Sequence, residues 1–161
     1  MPKAERYDEW RDPSGDFVIR TDPSFLDVEL VHRVLKESYW SPGIPIEVVR
    51  RAIENSLSFG LYTSTGRQVG FARIITDTAT FAYLVDVFVI PEFRSRGLSK
   101  WLMSVISGHP KLQDLRRWVL ATRDAHGLYK KFGFTPLSAP DRFMERHEPG
   151  VYARLGAAGK S

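Results

Sequence analysis

Hydrophobic and polar positions along this chain change period several times, and each change predicts a different secondary-structure element. After Gly97 the apolar side chains recur three and four positions apart, which predicts a helix with one face toward a core. Residues 118–121 form a short continuous apolar run, which is typical of a strand covered on both faces. The whole pattern predicts the order β-α-α-β-β-β-α-β-α-β, with strands near residues 17–19, 58–63, 67–75, 81–90, 118–121 and from 134 onward, and helices near 24–40, 45–53, 98–106 and 125–132.

The three central strands are joined by short turns, and these turns set the direction of the strands. Ser64-Thr65-Gly66 is typical of a hairpin turn, and residues 77–79 form a second short turn. Strands connected in this way run antiparallel. The predicted fold class is therefore α/β, with a mixed, mostly antiparallel central sheet flanked by helices on both faces.

The length of the chain is that of one domain. We expect a single unit over residues 1–161, because 161 residues can bury one sizeable core. Residues 1–15 are polar and end in the turn signal Asp12-Pro13-Ser14-Gly15, so they are predicted to form an N-terminal arm. Residues 156–161 are predicted to be a loose tail.

Composition limits the classes of function. The chain is 43% hydrophobic and 26% charged, as globular proteins are. No apolar run approaches the ~20 residues of a membrane span, and the N-terminus lacks the apolar segment of a secretory signal, so a cytoplasmic protein is expected. The absence of cysteine excludes disulfides, thiolate metal sites and a cysteine nucleophile. The four histidines have no partners at ligand spacing, so no metal is predicted.

The net charge of +4 raises the question of a nucleic-acid partner. Lysines and arginines are scattered among 19 acidic residues, without the basic run of a nucleic-acid-binding arm. The sequence also shows no platform of interleaved aromatic and basic residues. A nucleic-acid-binding α/β module is thus the weaker alternative, and the basic balance equally suits a small polyanionic cofactor.

The strand at residues 81–90 leads into a turn that predicts an anion site. Arg94 and Arg96 lie in this turn beside Gly97, directly before the amphipathic helix. A helix N-terminus presents unpaired backbone N–H groups and a partial positive charge, and glycine lets a ligand approach the backbone closely. The two arginines taken alone are ordinary solvated turn charges, but in this position they favour a phosphate-binding site.

With the later segment Leu128-Tyr129-Lys130-Lys131-Phe132-Gly133-Phe134, the chain resembles the GNAT superfamily of acyl-CoA-dependent N-acyltransferases. The pyrophosphate motif of that family is Arg or Gln, two residues, Gly, one residue, then Gly or Ala. Arg94 and Gly97 match it, and Ser99 stands where the second small residue belongs. The resemblance covers about residues 17–137 and implies a GNAT-like fold with acetyl-CoA as co-substrate.

The resemblance also implies roles for individual residues. Tyr129 falls on the tyrosine that protonates the departing CoA thiolate in many members, although it shares an apolar helix stripe and without the family would be taken as a core residue. Thr122 stands where the family often has an asparagine that contacts pantetheine. The implied cofactor-binding positions are Val87 and Val89 for the pantetheine arm and Arg94, Ser95, Arg96, Gly97, Leu98 and Ser99 for the pyrophosphate.

Residues on the acceptor side are less clearly defined. Tyr39 and Trp40 end the first helix, where the loop of the family walls the acceptor pocket, and Tyr83 shares a face of its strand with Val85 and Val87. Each of these aromatic residues is also compatible with simple packing.

Asp86 is the only charge in residues 81–90, and a buried carboxylate needs a partner. Two interpretations stay open for it. It forms a structural pair with an arginine such as Arg73, or it faces the acceptor and binds or deprotonates an ammonium. His126 and a chain of water molecules are the alternative bases.

The resemblance implies direct transfer of an acyl group, taken as acetyl, from CoA to a primary amine. The acceptor is a small molecule or a peptide of unidentified structure, and a homodimer is left open. The alternative within this fold is a domain that binds acyl-CoA as a sensor without transferring the acyl group. Turnover on an amine separates the two hypotheses.

Overall fold

Strands follow one another through the sheet in chain order. The computed structural model describes residues 6–159, and the spatial order of the strands is β1-β2-β3-β4-β5-β6. Neighbouring strands are antiparallel except for β5 and β6, which are parallel. The strands are β1 (Glu9–Arg11), β2 (Phe17–Arg20), β3 (Leu57–Thr63), β4 (Gln68–Thr76), β5 (Phe81–Val89) and β6 (Arg117–Leu120).

Helices cover both faces of this sheet. Phe71 lines a small cavity together with residues of the first two helices, whereas Phe59, which points to the opposite face, contacts His109 just after the third helix. The helices are α1 (Val28–Glu37), α2 (Ile46–Glu54), α3 (Leu98–Ser107), α4 (His126–Lys130) and α5 (Val151–Ala158). The predicted α/β class with a mostly antiparallel sheet is therefore confirmed.

Helix α1 starts later than its sequence pattern predicts. Residues Pro23–Phe25 form a 3-10 turn, and the Asp27 carboxylate accepts a hydrogen bond from the Leu30 N–H at 3.0 Å as the cap of α1. Helix α2 begins at Ile46, directly after Pro45. A proline fits this place because the first N–H groups of a helix have no partner within it.

The N-terminal arm predicted over residues 1–15 is wrong for its described part, because Glu9–Arg11 forms the edge strand β1. The Glu9 carboxylate accepts from Arg20 Nε at 2.7 Å, and Trp10 packs against Phe59 with ring centroids 6.3 Å apart. The charges on either side of Trp10 hide the alternation that would predict a strand. Residues 1–5 lie outside the described part of the chain.

The C-terminal region also differs from its prediction. The strand predicted from residue 134 onward is absent from the described residues, because Pro136 and Pro140 remove backbone donors that a strand would need. A 3-10 turn at Pro140–Arg142 follows instead. Helix α5 includes residues 156–158 of the predicted tail at residues 156–161, of which residues 160 and 161 lie outside the described part.

Candidate active site

Strand β6 ends partway along β5, and this leaves the second half of β5 with an open edge, which we call the cleft. Their pairing begins at Phe81 with Arg117 and ends at Leu84 with Leu120. Beyond that point β5 continues to Val89 beside β4 alone. The Ile90 N–H donates to the Val69 carbonyl at 2.9 Å, so by the alternation of a strand the N–H of Val89 points to the open side. Val87 lies two residues earlier on β5 and is half-buried.

An irregularity between β4 and β5 lies next to this cleft. Phe71 pairs with Phe88 and Arg73 with Val85, so two steps along β4 correspond to three steps along β5. The extra residue is a β-bulge, and Asp86 within it has a left-handed backbone with φ of 55°. Aspartate tolerates this conformation better than most residues because its short side chain forms local hydrogen bonds.

The turn before α3 leaves the N-terminus of that helix free to bind an anion. Gly97 is the cap residue with φ of 75°, and no side chain caps the helix. A Cβ at Gly97 would meet no atom within 4 Å, so there is space in front of the first N–H groups. Ser95 is also left-handed, and residues 94–97 are exposed, whereas Leu98 is buried and Ser99 half-buried. This arrangement fits a pyrophosphate group.

The two arginines of the turn have protein contacts of their own. Arg94 Nε donates to the Val89 carbonyl at 2.9 Å, which links the turn to the end of β5. The Arg96 guanidinium lies 4.9 Å from the centroid of the Phe93 ring. Both side chains are exposed, so their remaining N–H groups face solvent at the helix N-terminus.

Tyr129 lies on α4 with its side chain buried. Burial is the main cause that raises the pKa of Tyr129 above its usual value, and Tyr39 and Asp124 add to the shift. Tyr129, Thr122 and His126 line one cavity of about 360 Å³ along β6. The Thr122 hydroxyl accepts from the Ala125 N–H at 3.0 Å, so it supports the start of α4. A tyrosine that stays protonated at neutral pH is suited to donate a proton.

Trp40 and Asp86 are brought together by the structure. Trp40 Nε1 donates to Asp86 Oδ1 at 3.0 Å, and Arg73 Nε donates to Asp86 Oδ2 at 2.8 Å. The structure thus contains the ion pair with Arg73, the first of the two interpretations of Asp86. Asp86 is buried, and Arg73 Nη1 also donates to Ser56 Oγ at 3.0 Å.

Tyr39 contacts a different part of the cleft. Its hydroxyl accepts from the Arg123 N–H at 3.1 Å, and the Arg123 guanidinium lies 3.9 Å from the centroid of its ring. Tyr83 is half-buried in the part of β5 that pairs with β6, opposite Ile75 and Val119. Arg123 is absent from the sequence-based candidates, because no pattern indicates a contact between loops 84 residues apart.

Comparison with known proteins identifies the family of this chain. The family model described as an acetyltransferase (GNAT) domain matches residues 55–136. A crystallised protein of Xanthomonas campestris, described as an acetyltransferase of the GNAT family, is 54% identical with a TM-score of 0.82, covering 85% of this chain and 96% of its own. A Gibberella zeae protein named as an acetyltransferase is 32% identical, over 73% of this chain and 77% of its own length. The chain belongs to the GNAT acetyltransferase family.

More distant structures share the fold of this GNAT acetyltransferase. A predicted acetyltransferase from Clostridium acetobutylicum, crystallised with acetyl-CoA, is 15% identical with a TM-score of 0.57, over 88% of this chain and 95% of its own. Among residues 6–159, no group of three or more His, Asp or Glu side chains is placed to hold a metal ion. Within the same residues, no helix has the length and apolar character to cross a membrane.

Proposed function

We propose that this GNAT acetyltransferase transfers an acetyl group from acetyl-CoA directly to a primary amine. The observation that carries the proposal is the open edge of β5 beyond the end of β6, which leads to the uncapped N-terminus of α3. The N–H groups at the start of α3, with Arg94 and Arg96, would bind the pyrophosphate. The open edge of β5 at Val87 and Val89 would hydrogen-bond the pantetheine arm as an added strand would. The cytoplasm stays the predicted compartment.

When bound, acetyl-CoA would supply an activated acetyl group as its thioester. The N–H of Val87, on the open edge of β5, is our candidate to polarise the thioester carbonyl. Tyr129 would donate its phenolic proton to the leaving sulfur, since a phenol is protonated over the neutral range. No residue needs to carry the acetyl group, because both substrates meet in one cleft.

Two measurements test this function. Titration of acetyl-CoA into the protein should show saturable binding, and assays of released CoA thiol over a panel of small amines, amino acids and short peptides should identify an acceptor. Tight binding without turnover on any amine would instead support a sensor domain. The panel also separates a small-molecule acceptor from a peptide acceptor.

Tyr129→Phe tests the acid in this mechanism. The variant should lower kcat by about 10²-fold, which is the lower end of general acid catalysis, with little change in the affinity for acetyl-CoA. Tyr62→Phe on β3 is the matched control, since it removes a buried hydroxyl two strands away from β5. Turnover of Tyr129→Phe equal to that of Tyr62→Phe would remove Tyr129 from the mechanism.

A further inference from the structure

The loop after α1 is tied to β5 and to the segment that follows β6. We call Tyr39 and Trp40 the aromatic strap. Trp40 bonds to Asp86 on β5, and Tyr39 accepts from the N–H of Arg123, three residues after the end of β6. The two rings also contact each other edge to face, with centroids 5.0 Å apart. The strap therefore links β5 to the segment after β6, beyond the point where the pairing of the two strands ends.

The strap holds Asp86 from one side and Arg73 holds it from the other. Each carboxylate oxygen accepts from one protein donor, at 3.0 Å from Trp40 and 2.8 Å from Arg73. Arg73 is in turn fixed by Ser56, whose hydroxyl donates to the Ala52 carbonyl at the end of α2. The side chains of Arg73 and Asp86 are only 15% and 6% exposed. A carboxylate held at both oxygens and covered in this way is anchored, whereas a general base must reach the proton of its acceptor.

Asp86 lies in the bulge of β5, so its hydrogen bonds also affect the shape of the open edge of this strand. Asp86 has a left-handed conformation in the bulge of β5, which costs about 1 kcal/mol or more for a residue other than glycine. Its two hydrogen bonds offset that cost. Val87 follows directly, so the bulge sets the direction in which the next N–H on the open edge points. Trp40 and Arg73 can thus influence the cleft through Asp86.

We propose that Trp40 and Arg73 are positioning residues for acyl transfer, and that Asp86 serves as their anchor in the bulge in place of acting as the general base. The inference rests on the proposed acetyltransferase function. In this inference the aromatic strap fixes the loop after α1, which borders the acceptor side, relative to the open edge of β5. Proton removal from the amine then falls to water in the cleft.

Kinetics on the amine found in the panel give the first test. Trp40→Phe keeps an aromatic ring but removes the N–H donor, and Asp86→Asn keeps the shape but changes the charge. Each should lower kcat about ten-fold, the equivalent of one hydrogen bond to a charged group, and change the KM for acetyl-CoA less than about two-fold. The pH at which kcat is half-maximal should stay unchanged in both. Arg73→Lys, which keeps a donor near Asp86, should retain more kcat than Arg73→Met.

A base at Asp86 would give a different result. Asp86→Asn would then remove the acidic limb of the pH profile, while Trp40→Phe would resemble the wild type. Either of these results overturns the inference. Trp101→Phe is the matched control, since Trp101 is a half-buried tryptophan on α3 outside the strap, and it should leave kcat unchanged.

A second test does not depend on turnover. In ¹⁵N-labelled protein the indole N–H signal of Trp40 is identified by its loss in Trp40→Phe, and its exchange with solvent is measured. Asp86→Gly removes the carboxylate while glycine accepts the left-handed backbone, so the fold should persist. Exchange should accelerate at least about ten-fold in Asp86→Gly. An unchanged exchange rate would contradict the role of Asp86 as an anchor, even if the enzyme acetylates every amine tested. Accelerated exchange would support that role, even if the enzyme acetylates none of them.

Discussion

Gly97 allows the proposed pyrophosphate site to be tested apart from folding. Its φ of 75° requires a left-handed backbone, and a Cβ built there meets no atom within 4 Å. Gly97→Ala should therefore cause no clash and cost only conformational energy, about 1 kcal/mol of unfolding free energy, or about 2–4 °C in Tm. Gly15 in the β1–β2 turn is a matched control, with φ of 79° and the same open surroundings.

The two glycine variants should differ in binding, because only Gly97 lies at the proposed pyrophosphate site. The added methyl group would occupy space that the phosphates need near the backbone, so Gly97→Ala should raise the Kd for acetyl-CoA about ten-fold or more, and Gly15→Ala should leave it unchanged. Calorimetric titration with acetyl-CoA measures both Kd values, and thermal unfolding without ligand checks that the two stability losses agree. Equal Kd values for the two variants would refute the assignment of the site.

Three further predictions concern single side chains. Arg94→Ala should weaken acetyl-CoA binding in the same titration more than Arg116→Ala, which removes an exposed arginine elsewhere. The Tyr62 hydroxyl is buried without a hydrogen-bond partner in the described part of the chain, so Tyr62→Phe should raise the unfolding free energy by about 1 kcal/mol in urea; a loss would contradict this. Burial lowers the pKa of His109, so below about pH 6.5 the unfolded state binds a proton that the folded state does not. The unfolding free energy should therefore decrease as the pH drops below about 6.5, and it should decrease less steeply in His109→Gln.

The sequence predicted most reliably those elements whose periodicity is strong. The apolar stripe of α3, the turn at Gly97 and the antiparallel central strands were all predictable, because local propensity and burial agree there. β1 was not predictable, since a strand of three residues with two exposed charges carries no alternation of its own. The strand expected from residue 134 onward was wrong, because Pro136 and Pro140 interrupt a segment that is mostly exposed after Phe134.

The candidate site was predictable in part. The pairing of Asp86 with Arg73 followed from the cost of burying a lone carboxylate, although the sequence left it as one of two interpretations. The contacts of Trp40 with Asp86 and of Tyr39 with Arg123 join loops and strands distant in the chain, and only tertiary packing brings them together. Sequence patterns report local structure, so such contacts leave no signal in them.

β6 lies at the edge of the sheet, and its short pairing with β5 predicts where the sheet opens most easily. Strands β1 to β5 pair with one another in antiparallel fashion. The chain passes through α3 before it reaches β6, which pairs with β5 at only four positions. An edge strand held so briefly belongs to the part of a protein that opens at low free-energy cost. Amide hydrogens of β6 and α4 should accordingly exchange faster than those of β3 and β4. A ligand lying between β5 and β6 would replace the missing pairs, so acetyl-CoA should slow exchange in β6 and α4 first.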